Sequence, residues 1–228
     1  MSYETCPLLN EIPWIKHGFY DESNPCANTA GMKGIRFFND EYPQAKFLKQ
    51  DHTDAILTDQ DDPLTSIADA MITDEENIAL AIKTADCCPV LLVCTDTKQI
   101  AAVHAGWPGA VNQITAKTAE KLIKHGARPE NIIAAIGPYI HQETFPVQDD
   151  VRNKFIKKQP EQLNNFIVFE DRWKMDVANI IKQQLEILGI QKIWVSKINT
   201  FTDLNYSSHR RRKDELPIRN VSLIVKLA

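Results

Sequence analysis

Apolar runs bounded by polar residues divide the chain from residue 78 onward into strands and helices. Short continuous apolar runs are typical of strands that are buried on both faces. Such runs occur at 78–82, 90–94, 99–103, 132–136, 191–196 and 221–226. The runs at 90–94 and 99–103 are separated only by a polar segment, Thr-Asp-Thr-Lys, so this part of the sequence predicts a β-hairpin.

Other segments carry their apolar residues at helical spacing. They cover 110–125, which stops at Gly126, about 149–158, and 177–188, which ends before Gly189. Helices and strands therefore interleave, while the hairpin requires an antiparallel pair. We expect an α/β fold with mixed β-sheets in a layered arrangement and with helices on the outside.

The pattern is weaker in residues 1–75. Apolar segments at 33–38 and 45–48 are candidate strands, whereas the acidic run at 59–63 predicts a solvated loop rather than a metal site. The sequence contains no internal repeat, low-complexity tract or Gly/Ser linker. We therefore expect residues 1–228 to form a single catalytic domain.

Charge is nearly balanced along the chain, since 26 basic and 30 acidic residues give a formal net charge of −4. A chain with this net charge has no overall positive electrostatic potential that would attract a nucleic acid or an anionic membrane. A small-molecule partner is therefore favoured. The first residues lack a basic segment followed by an apolar one, and the apolar run at 89–94 is too short to span a bilayer. We expect a cytoplasmic protein that is a monomer or a small homo-oligomer.

Cysteine usage points to reduced thiols. The chain has five cysteines at uneven spacing, an odd number that does not resemble the disulfide framework of a small secreted protein. Cys94 lies inside a predicted strand and is expected to fill space in the core.

Three potential metal ligands stand in unusual local sequences: His52 in Gln-Asp-His-Thr, Cys87 in Thr-Ala-Asp-Cys-Cys-Pro, and His104 in His-Ala-Gly-Trp. Two imidazoles and a thiolate suit Zn²⁺, and three protein ligands leave the fourth tetrahedral position open for water or substrate. Separations of 35 and 17 residues do not match a zinc finger. However, Cys87 enters the first strand of the predicted hairpin and His104 leaves the second, so we expect both at the same end of the sheet.

Two polar residues beside these ligands are further candidates for the site. Asp86 precedes Cys87 and is a candidate to orient a ligand histidine or to act as a general base, the alternative being a turn residue before the strand. Gln50 is two residues from His52, so in an extended segment both side chains face the same way and Gln50 is expected to contact substrate.

Arg210, Arg211 and Arg212 form the only arginine cluster in the chain. Guanidinium groups suit bidentate contacts with an oxyanion, which makes Arg210 and Arg211 candidate substrate-binding residues. The alternative is a solvated basic loop, which applies more strongly to Arg212 and Lys213.

Together these motifs resemble those of the bacterial laccase-domain family, also called YfiH-like, multicopper polyphenol oxidoreductase-like, or FAMIN-type purine nucleoside phosphorylase. Further matches run along most of the chain: His17-Gly18-Phe19, Asp69-Ala70, Ile136-Gly137-Pro138, Phe145 with Val147, Asp176, and Ser208-His209-Arg210-Arg211. The resemblance implies a layered α/β fold in which His52, Cys87 and His104 bind zinc. It also implies phosphorolysis of adenosine, inosine and methylthioadenosine, with accompanying adenosine deaminase activity.

Other labels attached to this family imply different chemistry. A multicopper oxidase needs many histidines, and six are present here, so copper is less expected than zinc. A cysteine hydrolase or peptidoglycan-editing amidase would use Cys87 as nucleophile and His104 as base, which competes with metal binding by the same atoms.

The chain also departs from the pattern of the family. The Arg-x-Gly-Gly and Ser-Leu-Asn segments usual in the family are absent from residues 20–34, Pro108 replaces a basic residue, and a Thr-Gly-Arg segment is absent from 213–219. A third hypothesis is therefore a non-catalytic protein that binds a metal or a nucleoside.

Overall fold

The computed structural model describes residues 3–24, 33–37, 40–63, 65–212 and 218–228. Within them, fifteen strands form two six-stranded sheets and one three-stranded sheet, accompanied by five α-helices. Each large sheet contains both parallel and antiparallel neighbours, so the predicted α/β class with mixed sheets is confirmed.

The strands, in chain order, are β1 (Tyr3–Glu4), β2 (Ile15–Tyr20), β3 (Lys33–Phe37), β4 (Asp40–Phe47), β5 (Ile56–Leu57), β6 (Ala70–Thr73), β7 (Ile78–Thr84), β8 (Cys88–Cys94), β9 (Ile100–Ala105), β10 (Ile132–Ile136), β11 (Pro146–Val147), β12 (Phe166–Phe169), β13 (Arg172–Met175), β14 (Lys192–Val195) and β15 (Asn220–Lys226). The α-helices are α1 (Pro7–Asn10), α2 (Trp107–Val111), α3 (Ile114–Lys124), α4 (Asp149–Lys158) and α5 (Val177–Ile187). Short 3₁₀ helices cover Pro129–Asn131, Gln142–Thr144 and Pro160–Asn165.

The two large sheets pack face to face. Their strand orders are β1-β2-β15-β7-β4-β3 and β14-β10-β8-β9-β6-β5. Leu80 and Ile224 from the first sheet share one buried apolar cluster with Leu91 and Ile133 from the second. Full burial of each such side chain contributes about 1.5–3 kcal/mol, so this interface is a principal source of stability.

Helices cover the other face of the second sheet. Val90 and Leu92 of β8 pack there in one cluster with Ile114 and Leu122 of α3 and Ile181 of α5. The layers are therefore sheet, sheet and helices, with helices on an outer face as the sequence pattern predicts. None of the helices in the described part of the chain is long and apolar enough to cross a membrane.

Several elements confirm the sequence-based assignments. β8 and β9 form the predicted hairpin, with Leu91 opposite Ala102. β10 and α4 have the predicted bounds, and α5 ends just before the predicted stop at Gly189.

The predicted helix at 110–125 is confirmed over α3 (Ile114–Lys124), but its first residues belong to a separate helix, α2. Gln113 adopts a left-handed conformation, with φ of 60°, that ends α2 and begins α3. The side chain of Gln159 donates hydrogen bonds to the carbonyl oxygens of Ala110 and Val111, and Gln184 also donates to Ala110. These distant amides satisfy carbonyl groups at the end of α2, which stabilises the break.

The first third of the chain contains strands that the pattern did not predict, among them β2 and β6. The candidate strand at 33–38 corresponds to β3, except that Phe38 lies outside the described residues, and the segment at 45–48 is the end of the longer β4. In the acidic loop, the Asp59 carboxylate accepts hydrogen bonds from Lys46 and Thr73, so this residue ties the loop to the sheet.

Candidate metal centre and substrate cavity

The three predicted ligands come together. Cys87 directly precedes β8, and His104 lies in β9 opposite Pro89, so the hairpin brings the two to one end of the sheet as expected. His52 arrives on the loop before β5, with its Nε2 atom 3.6 Å from Cys87 Sγ. One ligand atom from each residue lies within 4.8 Å of the other two, so the group could hold a metal ion.

Gly106 provides the space between two of these donors. A Cβ atom at this position would lie 2.7 Å from Cδ2 of His52 and 2.9 Å from Sγ of Cys87. Real Cβ contacts are not this short, so any side chain at residue 106 would displace a ligand. This close approach, together with two imidazoles and one thiolate, fits a borderline-soft metal ion.

Asp69 orients both histidines. This residue is fully buried directly before β6, and its Oδ1 atom lies 2.7 Å from Nδ1 of His104. The same carboxylate accepts the backbone N–H groups of Asp51, His52 and Thr53. If Nδ1 of His104 donates to Asp69, the lone pair of Nε2 is left for a metal ion.

Electrostatic coupling sets the charges of these groups. Burial alone would raise the pKa of the Cys87 thiol. The charges of His104 and His52, and their hydrogen bonds with the sulfur, outweigh burial and lower this pKa to about 6. Burial would lower the pKa of His104, but the Cys87 thiolate and Asp69 raise it to about 9. By contrast, burial raises the pKa of the adjacent Cys88 thiol well above its usual value. Cys87 is therefore the thiolate of the pair of neighbouring cysteines.

Two residues of the site have left-handed backbone conformations, His52 with φ of 56° and Asp86 with φ of 80°. Such angles are uncommon outside glycine and cluster where function constrains the backbone. Here they turn the chain at two of the segments that carry metal donors.

Asp86 holds a distant segment against the metal-ligand loop. Its Oδ1 accepts the Thr200 hydroxyl, and its Oδ2 accepts the Ser208 hydroxyl at 3.0 Å and the backbone N–H of Arg210 at 2.6 Å. The predicted role of orienting a ligand histidine falls to Asp69 instead. Because three donors already occupy the Asp86 carboxylate, its geometry favours positioning over general-base chemistry.

Gln50 does not lie in the cavity. Its amide donates to the carbonyl of Lys83 at 2.7 Å and accepts the N–H of Lys83 at 2.9 Å. The side chain thus pairs with the edge of β7 as a neighbouring strand would. The geometry makes Gln50 an anchor for the His52 loop and does not support the predicted substrate contact.

The two candidate arginines differ in their surroundings. Arg210 lines the cavity, with its guanidinium carbon 5.3 Å from the ring centre of Phe145. Arg211 points inward and donates to the carbonyl oxygens of Thr200, Phe201 and Tyr206. Only Arg210 is placed to meet a ligand, so the geometry does not support substrate binding by Arg211. Arg212 forms an ion pair with Glu22, and Lys213 lies outside the described residues.

A cavity of about 480 Å³ opens beside the candidate metal donors, two of which, His52 and Cys87, line it. The lining includes His52, Cys87 and Gly106 on one part of its wall, and Trp107, Ile140, Phe145, Val147, Val151 and Val177 as apolar surfaces. Asp86, Asp150, His209 and Arg210 add polar groups. A volume in this range suits a small molecule, since such sites usually measure about 300–1,000 Å³.

Sequence reasoning did not assign roles to Asp69 or His209. Both lie within motifs shared with the family, Asp69-Ala70 and Ser208-His209-Arg210-Arg211, and membership of these motifs is the signal that marks them. In the apolar wall, Trp107, Phe145 and Val147 also stand in such motifs, whereas Ile140, Val151 and Val177 carried no local signal because they come from separate segments.

Comparison with known proteins identifies a matching family. Residues 32–226 match the family described as multi-copper polyphenol oxidoreductase laccase. A purine nucleoside phosphorylase of Rickettsia conorii is 35% identical over 169 residues, which cover 72% of this chain and 69% of that protein. The adenosine deaminase RL5, from an unknown prokaryotic organism, is 36% identical over 114 residues, or 50% of this chain and 43% of that protein.

Among solved structures, the hypothetical protein YfiH of Bacillus licheniformis has the same fold, with a TM-score of 0.79. The match covers 96% of this chain and 94% of that one at 24% identity. The class is defined by a layered α/β fold in which three side chains that could hold a metal ion cluster beside a cavity. The chain belongs to the multi-copper polyphenol oxidoreductase laccase family, which confirms the resemblance drawn from its motifs.

Proposed function

We propose that the protein is a zinc-dependent purine nucleoside phosphorylase that also deaminates adenosine. The observation that carries the proposal is the cluster of His52, Cys87 and His104, whose first two members lie on the wall of the 480 Å³ cavity. The relatives named purine nucleoside phosphorylase and adenosine deaminase supply the reaction classes.

Each part of the cavity has a role in this proposal. His52, Cys87 and His104 would hold the ion, which when bound supplies Lewis-acid charge and activates water. Trp107 and Phe145 offer flat apolar surfaces for a purine ring. Arg210 is the guanidinium that faces the cavity and would hold phosphate, while Asp86 fixes its backbone.

A cysteine hydrolase, such as an amidase that edits peptidoglycan, is the second candidate. It is favoured by a chain of contacts from Cys87 to His104 to the buried Asp69, which matches a nucleophile, a base and a group that orients the base. The same atoms cannot serve both as zinc donors and as nucleophile and base, so the two candidates exclude each other.

A non-catalytic protein that binds a metal or a nucleoside is the third candidate. It rests on the absence of the Arg-x-Gly-Gly segment from residues 20–34 and on the inward position of Arg211. Arg210 is then the one guanidinium among the described cavity residues that is left for phosphate.

Metal content and turnover together separate these candidates. Under the leading proposal, purified protein carries about one Zn²⁺ per chain and converts adenosine to adenine only when phosphate is present. Copper at several equivalents would contradict zinc. Metal-free protein that is inactivated by alkylation of Cys87 would favour the hydrolase, and full zinc without turnover would favour the binding protein.

Adjacent cysteines supply the matched control. Cys87→Ala should remove the metal, whereas Cys88→Ala should retain it, because the Cys88 side chain packs in the core cluster with Val90 and Leu92. Equal loss of metal in the two variants would contradict the ligand assignment.

We also propose that residues 1–228 form one catalytic domain, because the central apolar cluster takes side chains from both large sheets. A cytoplasmic location is part of the proposal. It is supported by the four cysteines of the described residues, all of which are free thiols as expected in a reducing compartment.

A further inference from the structure

His209 lines the same cavity as His52 and Cys87, and its side chain is exposed. It is not a metal donor, a phosphate contact or a structural anchor in the site described above. It lies between Ser208, which is fully buried, and Arg210, which faces the cavity beside Phe145. An imidazole at this place can reach a ligand held in the cavity.

The backbone on both sides of His209 is fixed. Asp86 Oδ2 accepts the hydroxyl of Ser208 and the N–H of Arg210, which are the two flanking residues. The N–H of Arg211 donates in turn to the hydroxyl oxygen of Ser208 at 3.2 Å. His209 is thus presented from a turn held by the residue next to a metal donor, which is the preorganisation expected of a reacting group.

Phosphorolysis requires a proton at the purine. When a phosphate oxygen bonds to C1′ of the ribose, the C1′–N9 bond breaks and its electron pair enters the purine ring. A proton delivered to N7 neutralises the charge that develops there, and such general acid catalysis contributes about 10²–10⁴-fold in rate.

Resting on the proposed phosphorolysis, we infer that His209 is the general acid that protonates the leaving purine. The imidazolium gives its proton to N7 as the C1′–N9 bond breaks. The neutral imidazole then takes the remaining proton of the new ribosyl phosphate, so that one proton passes from phosphate to purine in each turnover.

Other titratable groups of the cavity suit this role less well. The Asp86 carboxylate is occupied by three donors, and His52 and Cys87 are metal donors. A guanidinium such as that of Arg210 does not lose its proton in proteins, and the Asp150 side chain is exposed to water. An imidazole, by contrast, can both donate a proton and regain it near neutral pH.

The test compares inosine with 7-methylinosine in the zinc-loaded enzyme at saturating phosphate. The methyl group already gives the purine of 7-methylinosine a positive charge, so that base leaves without protonation. His209→Asn should lower kcat for inosine by about 100-fold or more while leaving kcat for 7-methylinosine within about twofold. His125→Asn, which changes an exposed histidine at the end of α3, is the control and should alter neither.

Three other measurements distinguish proton donation by His209 from a structural or phosphate-binding role. His209→Asn should retain its zinc, its adenosine deamination and its KM for phosphate. Equal losses on both nucleosides, or a KM for phosphate raised while kcat is kept, would overturn the inference and assign His209 to phosphate binding. Loss of zinc from the variant would overturn it in favour of a structural role. Wild-type protein that cleaves neither nucleoside would overturn the proposed function and the inference with it.

Discussion

Nδ1 of His104 lies 2.7 Å from Oδ1 of Asp69, a carboxylate that is fully buried and that also accepts the N–H of His52 at 3.1 Å. One side chain thereby positions two donors that are 52 residues apart in sequence. The backbone of Asp69 takes part as well, since its carbonyl accepts the N–H of His104 at 2.7 Å. The geometry of the candidate metal site therefore depends on a residue that is not itself one of the three candidate donors.

Replacing that carboxylate should weaken metal binding. Asp69→Asn keeps one acceptor oxygen but places an NH₂ group among N–H donors, so both histidines lose part of their support. We expect metal affinity to fall by about 10–100-fold, as measured by competition with a chelator. Asp54→Asn, which removes an exposed ion pair with Lys117, is the control and should retain wild-type affinity. Unchanged affinity in Asp69→Asn would contradict the role given to Asp69.

A methyl group at residue 106 should also displace the metal. Gly106 has φ of −75°, which any residue can adopt, so Gly106→Ala acts through contact with His52 and Cys87 rather than through backbone strain. We expect a folded variant with little bound zinc, as measured by circular dichroism and metal analysis. In Gly109→Ala the new Cβ would lie 3.0 Å from a methyl group of Ile114, so this control should lose some stability and keep its zinc. Full zinc in Gly106→Ala would be inconsistent with this packing.

The neighbouring arginines should give different phenotypes. Arg210→Ala should depress phosphate-dependent release of adenine more than inosine formation, because only phosphorolysis needs a bound oxyanion. Arg211→Ala should instead lower the free energy of unfolding by about 2 kcal/mol or more, since it leaves several buried carbonyl groups without their charged donor. Chromatography of adenosine reactions and urea unfolding measure the two effects. Unchanged adenine release in Arg210→Ala would place phosphate elsewhere.

Acid should destabilise the fold through His17. This residue is buried, its Nε2 accepts the N–H of Cys6 at 2.8 Å, and burial lowers its pKa to about 4. Between about pH 6.5 and pH 4 the unfolded chain binds a proton that the native state does not. The free energy of unfolding is therefore unaffected by protonation of His17 above about pH 6.5. It decreases as the pH falls toward 4, by on the order of 3 kcal/mol.

Urea unfolding at pH 7.5 and pH 5, in the presence of a chelator, measures this effect. His17→Gln keeps an acceptor for the Cys6 N–H but does not titrate, so its unfolding free energy should change less with pH than that of the wild type. An equal pH dependence in the variant would show that other groups are responsible.

Local sequence patterns determined the elements whose residues pack against immediate neighbours. The hairpin of β8 and β9, the strand β10 and the helices α4 and α5 follow from apolar periodicity and turn residues, which act over a few positions. The trio of His52, Cys87 and His104 could be named from the sequence because donor chemistry and motif identity belong to the residues themselves.

Only the tertiary structure decided the features that depend on partners far away in the chain. The break at Gln113 is stabilised by Gln159 and Gln184, which lie in later segments of the chain. Likewise, the sequence shows that Asp69 and Asp86 are acidic, but the fold decides that the first supports the histidines and the second clamps the segment that carries His209 and Arg210. A residue's chemistry is fixed by its type, whereas the groups that its side chain meets are fixed only when distant segments pack together.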